Sequence, residues 1–466
     1  SASSDCPAPD GDVPRPVHTV DAVLDYPSQT LQVRQTTVYT NLTSETLTDF
    51  VMNIEPNRWL EVFTLRGVLQ KTLGRGSIQP GYDLTGRRLY LELVEPLAPN
   101  CTLEVEMLFE IVVPPVRTGV DAFKGFFGHT DRQINLGHWL PSAAERLGDE
   151  WITRQAMFVG EQEVVGLADW DVTLKIENAP ETLAIAAPGS VQMLGANHAR
   201  YQLDGARDFT ISLGDGLSMQ QATAEDGTAI EVYTFTDATL YTASGVIDAG
   251  NHALNVALRA FETYVKLFGD YPYERLLVVQ GDFPDGMEFS GIVFVSSDWF
   301  KNHTGNPADF LTLITAHEVA HQWWYTRVGS DPALTPWLDE ALSTYSEYVF
   351  IEQFYPNLKD WWWQFRVESH SPQGFVDSTI YEFSSIRAYI NAIYLRGVTM
   401  LHALRNDLGT EVFFDLLRRY ADTFDGQVAT SADFWALLTP EQLERTRRTR
   451  EVFLRRPDFA QADSGG

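Results

Sequence analysis

Strict two-residue alternation of apolar and polar positions marks the first half of the chain. It is plainest where Leu103, Val105, Met107, Phe109 and Ile111 interleave with Glu104, Glu106 and Glu110. Successive side chains of a strand point to opposite faces, so this stretch predicts a strand with one buried face and one wet face. Trp170, Val172, Leu174 and Ile176 repeat the pattern against Asp171, Thr173, Lys175 and Glu177. Turn signals at Pro80-Gly81, Asn100 and Pro114-Pro115 separate such runs, which predicts an antiparallel β-saddle or sandwich over residues 17–217 rather than a parallel sheet. Gly214-Asp215-Gly216 reads as its boundary, and beyond it the period changes. Val246, Leu254, Ala257, Leu258, Phe261 and Val265 predict a helix over 242–267, and short apolar runs at 276–279 and 291–295 predict strands. Further helices are predicted at 307–326, from 337 onward, and at 394–408, 411–420 and 431–438. The expected fold class is α+β and multidomain: a flexible segment 1–16, a β-rich domain 17–217, a mixed domain 218–440, and a polar tail 441–466 containing Arg445, Arg447, Arg448 and Arg450.

With 466 residues, 44 % of them hydrophobic, the chain can build a substantial soluble core. Lys and Arg number 34 against 63 Asp and Glu, for a net charge of −29, which repels nucleic acid and anionic membrane surfaces. No apolar run is long enough to span a bilayer, and no signal peptide is present, so no transmembrane segment is expected in this chain. The start at Ser1 suggests a processed or trimmed form, with the Pro-, Ser- and Asp-rich opening as a tether trailing a removed targeting segment. Cys6 and Cys101 fit either one disulfide or two inert thiols. The opening and the cysteines favour an extracellular or cell-surface location over a cytoplasmic one.

The most specific chemistry lies in His317-Glu318-Val319-Ala320-His321. On a helix the two histidines fall one turn apart on one face, so both imidazoles can converge on one metal while Glu318 points beside them at a water. Glu340 follows His321 after eighteen intervening residues and opens a second helical stretch. Two His and one carboxylate leave the fourth tetrahedral position open, as catalysis requires, whereas a closed structural site would need more thiols than two distant cysteines provide. One Zn2+ per chain is the expected cofactor, held by His317, His321 and Glu340. Glu347, seven residues beyond Glu340, either accepts a hydrogen bond from the second N–H of a ligand imidazole or is a solvated charge on the helix face. His129, His138 and Trp139 cluster in the β-rich half, and Trp361-Trp362-Trp363 follows Glu347; both groups read more readily as packing than as sites.

These residues carry a resemblance. The two-His motif, the eighteen-residue gap and Trp337-Leu338-Asp339-Glu340-Ala341 resemble the aminopeptidase N family of zinc metallopeptidases, in the gluzincin group, with Asp339 and Ala341 where that family has Asn and Gly. Gly286-Met287-Glu288 resembles its exopeptidase motif, with Phe289 where Asn is usual, and Tyr394-Leu395-Arg396-Gly397 resembles its catalytic Tyr-x-Lys-Gly. The resemblance implies a thermolysin-like catalytic domain behind the β-domain, and peptide substrates bound along Gly286, Met287 and Glu288, the last taking the free amino terminus. It also implies Glu318 as general base and Tyr394 as oxyanion donor, where residue chemistry alone leaves Tyr389 and Tyr381 as equals. The large helical domain that usually follows in that family is expected to be absent. A second amino-terminal anchor, aligned on Pro141, falls at Thr130 and Arg132 and is expected to be lost, with Asp131 as a substitute. An endopeptidase on the same zinc chemistry and a catalytically silent peptide-binding relative are the competing readings.

Overall fold

The computed structural model describes residues 6–8, 11, 13–72, 76–116, 125–243 and 245–457. The chain divides into two compact units, one of residues 1–153 and 165–217, the other of 154–164 and 218–466. The α+β class is as expected, and the alternation of the first half translates directly into sheet.

In the first unit an eight-stranded sheet runs in the order Ser190–Gly195, His198–Ala206, Ala168–Glu177, Val17–Asp25, Thr30–Thr40, Thr102–Val112, Phe63–Thr72, Gly76–Ile78. Thr102–Val112 buries every second side chain, Val105, Met107, Phe109 and Ile111 among them, and leaves the alternate residues nearer solvent. All neighbours are antiparallel except Val17–Asp25 with Ala168–Glu177, a parallel pair that joins segments far apart in sequence. Two four-stranded sheets and a short hairpin, Arg146–Leu147 with Glu150–Trp151, are the other sheets described in the unit. Trp139 is fully buried with its indole N–H donating to Phe209 O, and His129 is partly exposed, so these residues pack rather than converge on a site. Cys6 and Cys101 form a disulfide, which ties part of the expected flexible opening to the sheet domain; residues 1–5, 9, 10 and 12 lie outside the described residues.

The second unit is built on a five-stranded sheet ordered Ser218–Thr223, Ala229–Thr234, Arg275–Gly281, Ile292–Ser296, Gly286–Phe289. Its three inner strands are parallel and almost wholly buried, as apolar strands covered on both faces must be. Gly286–Phe289 turns back antiparallel and forms one edge. The helix expected over 242–267 is Ala249–Phe268, because Thr239–Thr242 and Gly245–Asp248 form a small hairpin first and the Asp248 carboxylate then caps the helix by accepting from Asn251 N at 2.9 Å. Phe310–His321 packs on the edge strand, on Ala249–Phe268 and on Trp337–Phe354.

Two expected boundaries need correction. Residues 154–164 belong with the second unit, held there by Arg154 on Asp331 (Nε–Oδ2 2.9 Å). The supposed tail 441–466 is helical at Pro440–Arg445 and Arg447–Phe453. Thr439 and Gln442 form a capping box with Pro440 at the first helical position, and Phe453 and Leu454 are buried. Arg450 is itself buried and donates to Leu443 O and Pro457 O, so the run of arginines concealed an anchored end; residues 458–466 lie outside the described residues. Among the described residues no helix is long and apolar enough to cross a membrane.

Candidate active site

Asp309 starts the helix that carries the two histidines, its carboxylate accepting from Thr312 N at 3.0 Å. Eleven of the twelve residues of Phe310–His321 are buried, so the helix has no wet face and its polar side chains must find partners inside the protein. It ends in a wider, π-type turn over Gln322–Arg327, where the Gln322 amide donates to Phe289 O and accepts from Gly291 N, tying the helix to the edge of the sheet. Such widened turns recur at two other places that serve this region, Trp363–Val367 and Asn391–Leu395.

The second helix, Trp337–Phe354, presents Asp339 and Glu340 in its first turn, where the helix dipole favours carboxylates. Glu340 Oε2 lies 3.5 Å from His317 Nε2 and 3.8 Å from His321 Nε2. Both separations exceed a normal hydrogen bond. They fit a shared cation, since two bonds of about 2.1 Å meeting at a tetrahedral angle hold their ligand atoms roughly 3.4 Å apart. Two borderline-soft nitrogens and one hard oxygen are a donor set suited to zinc. Burial alone would lower the His317 pKa, but the facing carboxylates of Glu340 and Glu347 carry it up to about 10, so the pocket favours positive charge between these groups. Burial likewise pushes Glu340 up, and the two imidazoles and the Tyr394 hydroxyl more than reverse it.

Each imidazole is backed on its far side. His321 Nδ1 lies 2.5 Å from Asp339 Oδ1 and 3.1 Å from Ser343 Oγ. His317 Nδ1 has Glu347 Oε2 at 3.7 Å. Glu347 is fully buried, which removes the reading of a solvated charge; Trp362 donates to it at 2.7 Å, and Arg366 spans both its oxygens at 3.2 and 3.3 Å. Arg366 therefore neutralises a carboxylate that would otherwise be costly at that depth. Sequence reasoning missed Asp339 and Arg366. A signal existed for Arg366, which stands one helical turn after Trp362, so both reach the same acceptor.

Glu318 is buried against the edge strand, and Gly286 makes room for it: a Cβ there would meet Glu318 Oε1 at 2.1 Å and Ile314 Cγ2 at 2.9 Å. Glu318 Oε2 has no hydrogen-bond partner among the described residues. Burial pushes its pKa well above the usual carboxylate range, with His317 opposing and Glu340 adding to the rise. Glu288, 6 % exposed on the same strand, is raised for the same first reason, and its carboxylate lies within 4.8 Å of the His321 imidazole and the Asp339 carboxylate. Met287 is buried beside it. Tyr394 lies parallel to the His317 ring, with centroids 6.1 Å apart, and burial and Glu340 keep its hydroxyl protonated. Tyr389 is buried behind Tyr394, edge to face at 5.7 Å, while the Tyr381 hydroxyl donates to Gln155 O. His317, Glu318, His321, Glu340, Glu347, Glu288, Gly286 and Tyr394 are thus gathered in the second unit. Thr130, Asp131 and Arg132 belong to the first.

Residues 252–449 match the family described as Peptidase family M1 domain. Over 217 residues, 43 % of this chain and 24 % of the relative, the chain is 27 % identical to aminopeptidase M1-D of Oryza sativa subsp. japonica. Over 209 residues, 42 % of this chain and 22 % of the relative, it is 28 % identical to endoplasmic reticulum aminopeptidase 2 of Homo sapiens. The chain therefore spans about a quarter of the length of the curated relatives it matches. The crystal structure of an M1 zinc metallopeptidase from Deinococcus radiodurans superposes with a TM-score of 0.68, at 17 % identity, over 97 % of each chain. A mutant of that enzyme bound to a Tyr-Ser-Ala substrate gives 0.67 at 16 %, over 94 % of each chain.

Proposed function

We propose that this chain, which carries a peptidase family M1 domain over residues 252–449, is a zinc-dependent aminopeptidase that releases single residues from the free amino termini of peptides. The observation that carries the reading is the convergence of Glu340 Oε2 on the Nε2 atoms of His317 and His321 at separations that suit one shared zinc. Zinc bound there supplies a Lewis acid that polarises the scissile carbonyl and brings the pKa of water down towards ~7. Glu318, with one oxygen free of partners among the described residues, takes the proton of the attacking water and passes it to the leaving amine. Tyr394 donates to the oxygen that becomes negative. Asp339 fixes the orientation of the His321 imidazole from behind, and Glu347 stands 3.7 Å behind that of His317.

The strand Gly286–Phe289 lies at an edge of the five-stranded sheet, where an extended peptide adds as a further strand. Glu288 then takes the substrate's α-ammonium. The carboxylates around it, Glu318, Asp339 and Glu340, favour a cationic terminus as well as a metal. The Cys6–Cys101 disulfide supports an oxidising compartment for the protein.

The test combines metal analysis with paired peptides. About one zinc per chain is expected, lost together with activity in His317→Ala. Free-amine peptides should be cut from the first residue, and Glu288→Gln should raise their KM by roughly ten- to a hundredfold while changing that of N-acetylated peptides far less. Equal internal cleavage of free and acetylated peptides by the unaltered protein would replace the aminopeptidase reading with an endopeptidase.

A further inference from the structure

Four aromatic side chains form a continuous row on the surface of the second unit. Trp299 stacks on Phe310 with centroids 5.8 Å apart, Phe310 meets Phe365 at 5.2 Å, and Phe365 stacks on Trp361 at 5.1 Å with planes 12° apart. Phe310 and Phe365, at its centre, are 37 % and 38 % exposed, although the helices that bear them are anchored in the core. Such contiguous exposed apolar surface marks a place where something binds.

The row adjoins the candidate site in a defined direction. Phe310, Ile314, His317 and His321 fall on one stripe of their helix, and Ile314, with Glu318, approaches Gly286 on the edge strand. On the other side, Trp361 and Phe365 stand one turn apart on the outer face of the segment whose inner residues, Trp362 and Arg366, are bonded to Glu347. The platform is therefore fixed to the group behind His317, not left to a mobile loop.

We infer that this row binds apolar or aromatic side chains of the peptide downstream of the scissile bond, an inference that rests on the peptidase reading. With the amino terminus at Glu288 and the leaving amine at Glu318, a substrate passing Gly286 runs on towards Ile314 and Phe310. Phe310 precedes Glu318 by eight residues, about 12 Å of helix at ~1.5 Å per residue. An extended peptide advances ~3.3 Å per residue, so the third or fourth residue after the cleaved bond reaches the row. The substrates this assigns are peptides of five residues or more, selected by side chains far from the one removed.

The test uses hexapeptides with a free amino terminus that carry Phe or Ser at positions four and five, bound to the Glu318→Gln variant loaded with zinc, with fluorescence anisotropy as the readout. Binding does not require turnover. The Phe peptides should bind about three- to tenfold more tightly, the worth of one or two aromatic contacts. Moving Phe to position two should lose that gain. Adding Phe310→Ser or Phe365→Ser should bring the Phe-to-Ser ratio towards one, and because both peptides are measured on the same variant, a general loss of folded protein cancels. A ratio of one without those changes, or a ratio that survives both, overturns the platform. Hydrolysis of an aminoacyl amide by the unaltered protein, too short to reach the row, reports separately on the aminopeptidase reading.

Discussion

At Asp339 a single carboxylate decides which nitrogen of His321 is free for metal, because an acceptor 2.5 Å from Nδ1 holds the proton there and leaves the Nε2 lone pair facing Glu340. Asp339→Ala should weaken zinc binding by about ten- to a hundredfold in chelator competition, and Asp339→Asn, which keeps an acceptor oxygen, by less. Glu318→Gln divides the site differently. The amide cannot take a proton from water, so zinc content should stay near one per chain while kcat falls by at least about a hundredfold. Tyr394→Phe should cost about a hundredfold or more in kcat with metal retained; a near-normal rate would move the oxyanion role elsewhere. At this scale the sequence picked out three side chains that the fold brings within 3.8 Å of one another through Glu340, and said less about what backs them. Motif spacing named His317, His321 and Glu340, but spacing does not report depth. Glu347 could be told from a solvated charge only once Trp362 and Arg366 were seen around it.

Between elements, the close approach of Gly397 to Ala341 brings the Tyr394 turn over the Glu340 helix. A Cβ at Gly397 would stand 2.4 Å from the Ala341 Cβ, inside any tolerable contact. Gly397→Ala should therefore destabilise the protein by about 1–3 kcal/mol, the usual cost of overpacking, measured by denaturant unfolding. Combining it with Ala341→Gly should restore much of the loss, apart from the roughly 1 kcal/mol of helix propensity that a mid-helix glycine gives up. The strands were legible because alternation is local: 102–112 and 168–177 can be read residue by residue. Helix starts were less so. Val246 and Ile247 suit a helix but are held in a hairpin strand, Gly245–Asp248, and only the cap at Asp248 fixes where the helix begins. The parallel pairing of 17–25 with 168–177 is a long-range choice that no periodicity encodes.

For the molecule as a whole, two histidines contribute to acid sensitivity, the buried His18 of the first unit and the half-buried His252 of the second. Burial lowers the His18 pKa to about 3, and its ring stacks on Trp170 at 4.2 Å. Burial, with the His303 charge second, lowers His252 to about 4. An unfolded histidine titrates near 6.5, so below that value the unfolded chain binds protons that the folded protein refuses. Stability should therefore be independent of these groups above pH 6.5 and should fall as pH drops from 6.5 towards 3. His18→Gln should flatten that decline in a series of melting curves. Chelation should also lower Tm, because a metal bound only by the folded chain stabilises it by mass action.

From Leu311 onward the helix that carries His317, Glu318 and His321 is buried, and that burial bears on the order in which the second unit comes apart. Amide groups in such a helix exchange with solvent only when the surrounding layers open, so those of residues 314–321 should be among the slowest in a deuterium-uptake experiment, close to the rate set by global unfolding. The chemistry would then reside in the last part of the unit to loosen. On warming, activity and the structure of the second unit should disappear in one transition, with no earlier stage in which that unit is folded but inactive.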